Sequence, residues 1–239
     1  EFFLSDFASN QGLEWMARQR VDAIIHCAGT SLVGPSIANP EEYYNNNFVK
    51  TKALCDFLLA FEHRPRLIFS SSAATYGNPV MSPCHEVDPT EPISPYGQSK
   101  LMIDWMLSSY QRAYGIDFVS FRYFNACGAD TQARHGQKPG ATHLIARVLE
   151  SVRDKKDFML YGNNYPTTDG TCVRDYVHVD DIARAHVMAI SSGIAPGIYN
   201  LGSDNGTSNR EIIDTAERIT GKKLNMTVGP IRDGDPAVL

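Results

Sequence analysis

The sequence predicts an α/β fold in which helices cover a doubly wound parallel β-sheet, with a smaller α/β region towards the C-terminus. Three observations predict it. Residues 21–27 (Val-Asp-Ala-Ile-Ile-His-Cys) and Leu67-Ile68-Phe69 are apolar runs of strand length, as expected of strands buried on both faces of a parallel sheet. Each is followed by small or hydroxylated residues, Ala28-Gly29 in one case and Ser70-Ser71-Ser72 in the other. Open α/β sheets bind ligands at that end of their strands. Finally, Tyr96 and Lys100 stand four residues apart at the start of a long helical run.

In chain order, Phe2-Phe3-Leu4 reads as a strand closed by Ser5-Asp6. Asp6 is either a hydrogen-bond partner for a cofactor hydroxyl or amine, or a surface carboxylate. Residues 11–20 read as a helix and residues 21–27 as the buried strand. Residues 40–61 read as one long helix, with Asn39 as cap, Pro40 at the first position and Glu41 and Glu42 suiting the helix dipole. Asn45-Asn46-Asn47 interrupts it with polarity, either as a solvated face or, at Asn47, as an amide holding a loop or cofactor. Residues 79–95 are turn-rich and are expected to cover the site.

The helix after them carries Tyr96 and Lys100 on one face, one turn apart. A lysine ammonium beside a phenol favours the phenolate and makes tyrosine usable as a general base. The same helix has an apolar surface (Leu101, Met102, Ile103, Trp105, Met106, Leu107, Tyr110, Tyr114) wider than one packed face requires, which points to a second partner such as another copy of the chain.

Residues 117–123 read as a strand, and composition loosens after Gly128, where a domain boundary is placed: 1–128 and 129–239, with later segments returning to the first domain. Helices follow at 143–155, at 181–191 with Asp180 as cap, and at 208–220 capped by Ser208. Strands follow at 158–161, 175–179, 198–201 and 224–228.

Hydrophobic residues make up 43% of the 239 and charged ones 21%, which suits a globular domain rather than a disordered chain. The net charge of −5, with scattered basic residues, offers no surface for nucleic acid or an anionic membrane. No apolar run is long enough to span a bilayer. Five widely spaced cysteines without a CxxC pair read as reduced thiols in a cytoplasmic protein. His178, Asp180, Asp181 and His186 read as a strand end and a helix start rather than a metal site, and no metal is expected.

The ordered set of motifs resembles the extended short-chain dehydrogenase/reductases, and within them the UDP-glucose 4-epimerase family. The set comprises His26-Cys27-Ala28-Gly29, the turn at 70–77, Ser94-Pro95-Tyr96-Gly97-Gln98-Ser99-Lys100, and Arg122-Tyr123-Phe124-Asn125. It continues with Tyr161-Gly162-Asn163, the run at 169–179 and Asn200-Leu201-Gly202. The resemblance runs the length of the chain. It implies a Rossmann-type NAD domain and a smaller nucleotide-sugar domain. It implies that Asp6 and Phe7 lie near the adenine, that Cys27, Ala28 and Gly29 pass the cofactor phosphates, and that Asn47 and Ser70 support the cofactor.

By the same resemblance Tyr96 is the catalytic base, Ser72 its partner at the sugar, and Lys100 the residue that holds the nicotinamide ribose and lowers the Tyr96 pKa. Phe124 flanks the nicotinamide. Asn125, Arg174 and Arg232 hold the UDP, while His143, Leu144, Leu160, Tyr161 and Gly162 line the uridine. Leu239 stands where relatives set room beside the sugar. The implied reaction is 4-epimerisation of a UDP-hexose (UDP-galactose and UDP-glucose) through a 4-keto sugar, in a homodimer built on helices 40–61 and 95–114. The alternatives are a 4-epimerase for an N-acetylhexosamine or pentose, and a non-catalytic NAD-binding regulator. A 4,6-dehydratase would need a carboxylate where the turn has Ser72-Ala73-Ala74.

The sequence departs from the pattern at Ser31, where the family often has a lysine. It starts at Glu1 and stops at Leu239, and reads as a piece of a longer chain without the Gly-rich pyrophosphate loop and the first two strands. The expectation is that this piece alone binds NAD poorly and is inactive until the missing segment is restored.

Overall fold

A computed structural model describes residues 1–140, 142–191, 193–232 and 234–239. The chain forms two compact units. The first comprises residues 1–77, 85–123 and 184–200; the second comprises 78–84, 124–183 and 201–239.

The first unit is built on a sheet of order β1-β2-β3-β7, where β1 is Ala23–His26, β2 Arg66–Ser72, β3 Phe118–Tyr123 and β7 Gly197–Leu201. β2 pairs in parallel with β1 on one side and β3 on the other. Parallel neighbours need crossovers, and helices supply them. They are α2 (Val33–Ala38), α3 (Pro40–Tyr43) and α4 (Lys50–Leu58) between β1 and β2, and α5 (Pro95–Tyr114) between β2 and β3, while α1 (Asn10–Arg18) precedes β1. Leu67, Phe69, Ile103, Leu107, Phe118 and Cys55 bury their side chains together, so α5 packs its inner face on β2 and β3.

Several expectations are corrected here. Residues 2–4 form no strand: Phe2 and Leu4 are exposed, Phe3 stacks on Trp15 at 5.2 Å, and β1 ladders only with β2. As an edge strand, β1 is not buried on both faces, and Ile25 is 46% exposed. The long helix at 40–61 is not uniform. Between α3 and α4 it widens into a π-helical turn at Tyr44–Val49. Asn39 takes the N-cap position as expected, but its side-chain amide donates to Glu42 Oε2 at 2.9 Å instead of accepting a backbone N–H. Pro40 does occupy the first position.

In the second unit, β4 (Asn125–Cys127) pairs in parallel with β6 (Val173–His178), and β6 pairs antiparallel with β8 (Gly206–Ser208). A separate parallel pair joins β5 (Phe158–Tyr161) to β9 (Met226–Gly229). Over it pack α6 (Leu144–Asp154) and α8 (Asn209–Thr220), burying Val148, Phe158, Leu160, Ile213 and Ala216. α8 starts in a capping box: Ser208 Oγ accepts from Glu211 N, and the Glu211 carboxylate accepts from Ser208 N. α7 (Val179–Ser191) begins directly after β6, so Asp180 lies in its first turn and is not its cap. Among the described residues no helix is long and apolar enough to cross a membrane.

Candidate active site

In the first unit, the carboxyl ends of β1 and β2 and the start of α5 converge. Ser94 caps α5 by accepting from Gly97 N at 3.2 Å, and Pro95 takes the first helical position. Ser72 ends β2 and opens a 3₁₀ turn at Ala73–Thr75, its Oγ accepting from Ala74 N at 3.2 Å. The turn and the helix start touch at the backbone. A Cβ at Gly97 would stand 2.5 Å from the Ala74 carbonyl oxygen, so only glycine permits this approach. The approach places the Tyr96 phenol beside Ser72, whose hydroxyl favours the phenolate.

One turn on, Lys100 is buried and donates from Nζ to the Ser70 carbonyl oxygen at 2.8 Å. Its Nζ lies 4.8 Å from the Phe69 ring centre and 5.9 Å from that of Tyr96. Burial pushes Lys100 down to about 8, against the opposing pull of Asp104. The expected lowering of the Tyr96 phenol by Lys100 is not found. Burial raises it, the Ser72 hydroxyl opposes that weakly, and the lysine is spent on a strand carbonyl.

Asn47 sits in the π-helical turn, buried although flanked by two other asparagines. Its Oδ1 accepts from Thr30 N at 2.7 Å, and its Nδ2 donates to Thr30 O at 3.0 Å and Ser99 Oγ at 2.8 Å. The amide therefore staples the loop after β1 to α5. In that loop Cys27, Ala28 and Gly29 are exposed. Gly29 has φ 153°, and a Cβ there would meet Asn47 Oδ1 at 2.7 Å, with Lys100 Nζ 3.8 Å away. Ser70 Oγ donates to Cys27 Sγ at 3.3 Å and accepts from Tyr123 Oη at 3.0 Å.

Asp6 and Phe7 lie before α1. Asp6 pairs with Lys50 at 2.7 Å and accepts from Ala8 N at 3.0 Å, contacts that hold its carboxyl below the usual range. Phe7 meets His26 edge-on at 4.9 Å.

In the second unit, the Arg232 guanidinium carbon stands over the Tyr161 ring, 3.8 Å from its centre. Gly162 follows with φ 76° and takes its N–H to the Gly229 carbonyl at 3.0 Å. Arg174 donates to the Val173 carbonyl at 2.7 Å, to the Pro236 carbonyl at 2.7 Å, and to the Asp235 carboxylate. Leu239 lies beside it, its backbone bridged to Val173 and Asp175. Asn125 pairs with Tyr176 in the β4–β6 ladder, and Phe124 N donates to the Leu201 carbonyl at 3.0 Å. His143 is exposed just before α6 and Leu144 packs on the unit's core. Leu160 departs from its expected role. Its side chain is 1% exposed within that core, so only its backbone can face a ligand.

Sequence reading missed Asp104. It is a fully buried carboxylate on α5 that takes hydrogen bonds from Ser71, Ser120 and Arg122. The available signal was an acid one turn past Lys100 among apolar residues on the face turned to the sheet.

Residues 4–202 match the NAD dependent epimerase/dehydratase family. A UDP-glucose 4-epimerase of Halalkalibacterium halodurans is 40% identical over 244 residues, spanning 100% of this chain and 73% of that protein. A UDP-glucose 4-epimerase of Streptomyces lividans is 41% identical over 245 residues, again with 100% and 73% covered. Among solved structures, UDP-glucose 4-epimerase from Brucella ovis in complex with NAD matches with a TM-score of 0.92 and 40% identity, covering 100% of this chain and 75% of that one. The Bifidobacterium longum UDP-glucose 4-epimerase in complex with NAD+ and UDP matches with a TM-score of 0.91 and 34% identity, covering 99% and 72%.

Proposed function

Because the chain belongs to the NAD dependent epimerase/dehydratase family, we propose a division of labour for the NAD-dependent 4-epimerisation of UDP-hexoses that its relatives indicate. The observation that carries it is the placement of Tyr96 beside Ser72, one turn before the buried Lys100, at the carboxyl ends of parallel strands. The protein is an isomerase, and its cofactor is NAD.

The first unit is the NAD domain. The fit rests on the exposed Cys27-Ala28-Gly29 backbone, where a Cβ at Gly29 would fill the space over Asn47, and on the buried Lys100 beneath it. Asn47 and Ser70 shape that cradle, and Asp6 and Phe7 stand at its adenine end. NAD held there would supply a reversible hydride acceptor for sugar C4. Tyr96 takes the 4-hydroxyl proton and gives it back, Ser72 orients the same hydroxyl, and Lys100 holds the ribose and supplies positive charge nearby. Positioning plus a well-placed base accounts for such catalysis.

The second unit binds the nucleotide. Asn125, Arg174 and Arg232 hold the diphosphate, a task that suits planar guanidinium forks. Tyr161, Gly162, His143, Leu144 and the Leu160 backbone line the uridine, and Leu239 flanks the sugar.

The homodimer interface is the outer face of α5 against the π-helical turn. A groove of about 580 Å³ there is lined by Tyr44, Gln98, Leu101, Met102 and Trp105, and Trp105 is 59% exposed. Five cysteines read as reduced thiols support a cytoplasmic location.

The test offers UDP-galactose, UDP-N-acetylgalactosamine and a UDP-pentose to the NAD-loaded protein and to its Tyr96→Phe variant. Conversion of UDP-galactose, reduced ~10²–10⁴-fold in Tyr96→Phe with NAD still bound, is expected. Failure on all three sugars would sink the reading.

A further inference from the structure

We infer that Asp104 is a positioning residue for the proton-handling pair: it ties the helix bearing Tyr96 and Lys100 to the strands bearing Ser70 and Ser72, and it supplies the counter-charge for the Lys100 ammonium. The inference rests on the reading above, that Tyr96, Lys100 and Ser72 carry the reaction.

Asp104 lies one turn past Lys100 on α5 and has no exposed surface. Its Oδ2 accepts from Ser71 Oγ at 3.2 Å and from Arg122 Nε at 3.0 Å, and its Oδ1 accepts from Ser120 Oγ at 2.6 Å. Ser71 stands between Ser70 and Ser72 on β2, and Ser120 and Arg122 are alternate residues of β3. One carboxylate thus takes donors from two strands and fixes the register of α5 against both. Were α5 to slip, Lys100 would lose the Ser70 carbonyl and Tyr96 would lose Ser72.

Arg122 is held from its far side. It donates to Tyr76 Oη at 2.9 Å, and Tyr76 donates to Asn200 Oδ1 at 2.8 Å. A buried ion pair adds little stability over packed apolar residues, so its presence here calls for another role.

The second part of the inference is electrostatic. Lys100 is faced by Tyr96 and Asp104 from its own helix, by His26 and Cys27 from β1 and its end, and by Phe69 and the Ser70 carbonyl from β2. Burial works against its charge, and Asp104 is the strongest influence in favour of it.

The test has two arms on the NAD-loaded full chain. In the first, NMR of isotope-labelled lysine follows the Lys100 titration. Asp104→Asn moves it to lower pH by about a unit or more, and Asp104→Glu, which keeps the charge, leaves it near the wild type. In the second, kcat for UDP-galactose is measured from about pH 6 to 10. The alkaline loss of activity, set by the active Lys100 ammonium giving up its proton, moves in the same direction. At a fixed pH on that limb it costs ~10-fold, and KM changes little. If Asp104→Asn does not fold, Asp104→Ser, which removes the charge and keeps a hydroxyl for the Ser71 and Ser120 network, carries the same expectation.

An unmoved Lys100 titration in a folded variant that lacks the Asp104 charge overturns the inference whatever the activity. A moved titration with an unchanged pH profile also overturns it. A Tyr96→Phe variant as active as wild type would overturn the underlying reading instead.

Discussion

Lys100 donates to the Ser70 carbonyl and stands 5.9 Å from the centre of the Tyr96 ring. The lysine is anchored to the end of a strand and not to the phenol one turn before it. The phenol accordingly lies above its ordinary value, and burial is the cause. In the proposed mechanism, proton abstraction by Tyr96 near neutral pH would draw on a further positive charge, which the nicotinamide ring of oxidised NAD would supply.

The buried lysine makes stability depend on pH. Lys100 sits at about 8 in the folded protein against an ordinary 10.5. Below that window both folded and unfolded chains hold the proton, and the folded state carries the full burial cost. Between the two values the unfolded chain holds a proton the folded one has lost, so stability rises with pH. The gain approaches about 3 kcal/mol at the top of the window. Urea denaturation of wild type and Lys100→Met at several alkaline pH values checks this: the rise belongs to wild type, and equal slopes would refute it.

His26 acts at the other end of the scale. It is 4% exposed, bonds Thr51 Oγ1 at 2.8 Å, and is pushed down to about 4, chiefly by burial and then by the Lys100 charge. Its stabilising contribution is complete above the ordinary 6.5 and is lost as pH falls through about 4. His26→Gln should lose less stability than wild type over that acid interval, by up to about 3 kcal/mol. Thermal unfolding across the interval measures it.

The parallel core was legible because β2 carries the apolar run Leu67-Ile68-Phe69 and β3 is largely apolar, and α5 because Ser94, Pro95 and Gly115 punctuate it. What escaped depends on partners distant in sequence. Residues 2–4 have strand-like composition, but composition does not reveal that β1 ladders only with β2. The π-helical turn adds a residue per turn with no compositional sign, yet it is what turns Asn47 inward. The i to i+4 rule places Tyr96 and Lys100 on one face. It cannot say that a strand carbonyl takes the ammonium.

Asn47 makes three hydrogen bonds from a buried position, two to Thr30 and one to Ser99. Asn47→Asp keeps the acceptor for Thr30 N but replaces both donors with a charge facing a carbonyl. Asn47→Ala leaves the Thr30 groups unsatisfied. Each should cost about 2–4 kcal/mol in stability and loosen the loop carrying Gly29. Gly29→Ala attacks the same contact from the other side, since its Cβ would meet Asn47 Oδ1 at 2.7 Å. All three should weaken NAD affinity ~10-fold or more while uridine nucleotide affinity stays near wild type. Calorimetric titration with each ligand decides it, and a uniform loss would point to general unfolding.

Arg174 tests the nucleotide side. Its guanidinium is already oriented by the Val173 and Pro236 carbonyls and the Asp235 carboxylate, so little freedom remains to be lost when a diphosphate arrives. Arg174→Leu removes the charge and the fork and should raise KM for a UDP-sugar ~10–100-fold, with a smaller fall in kcat. Arg174→Lys restores charge but not the planar fork, and should recover only part of the loss. Asp235→Asn frees the guanidinium from its counter-charge. If electrostatics dominate, KM should fall below wild type; if Asp235 acts by orienting Arg174, KM should rise. The three variants, assayed together at two ionic strengths, separate charge from geometry, because only the charge contribution weakens with salt.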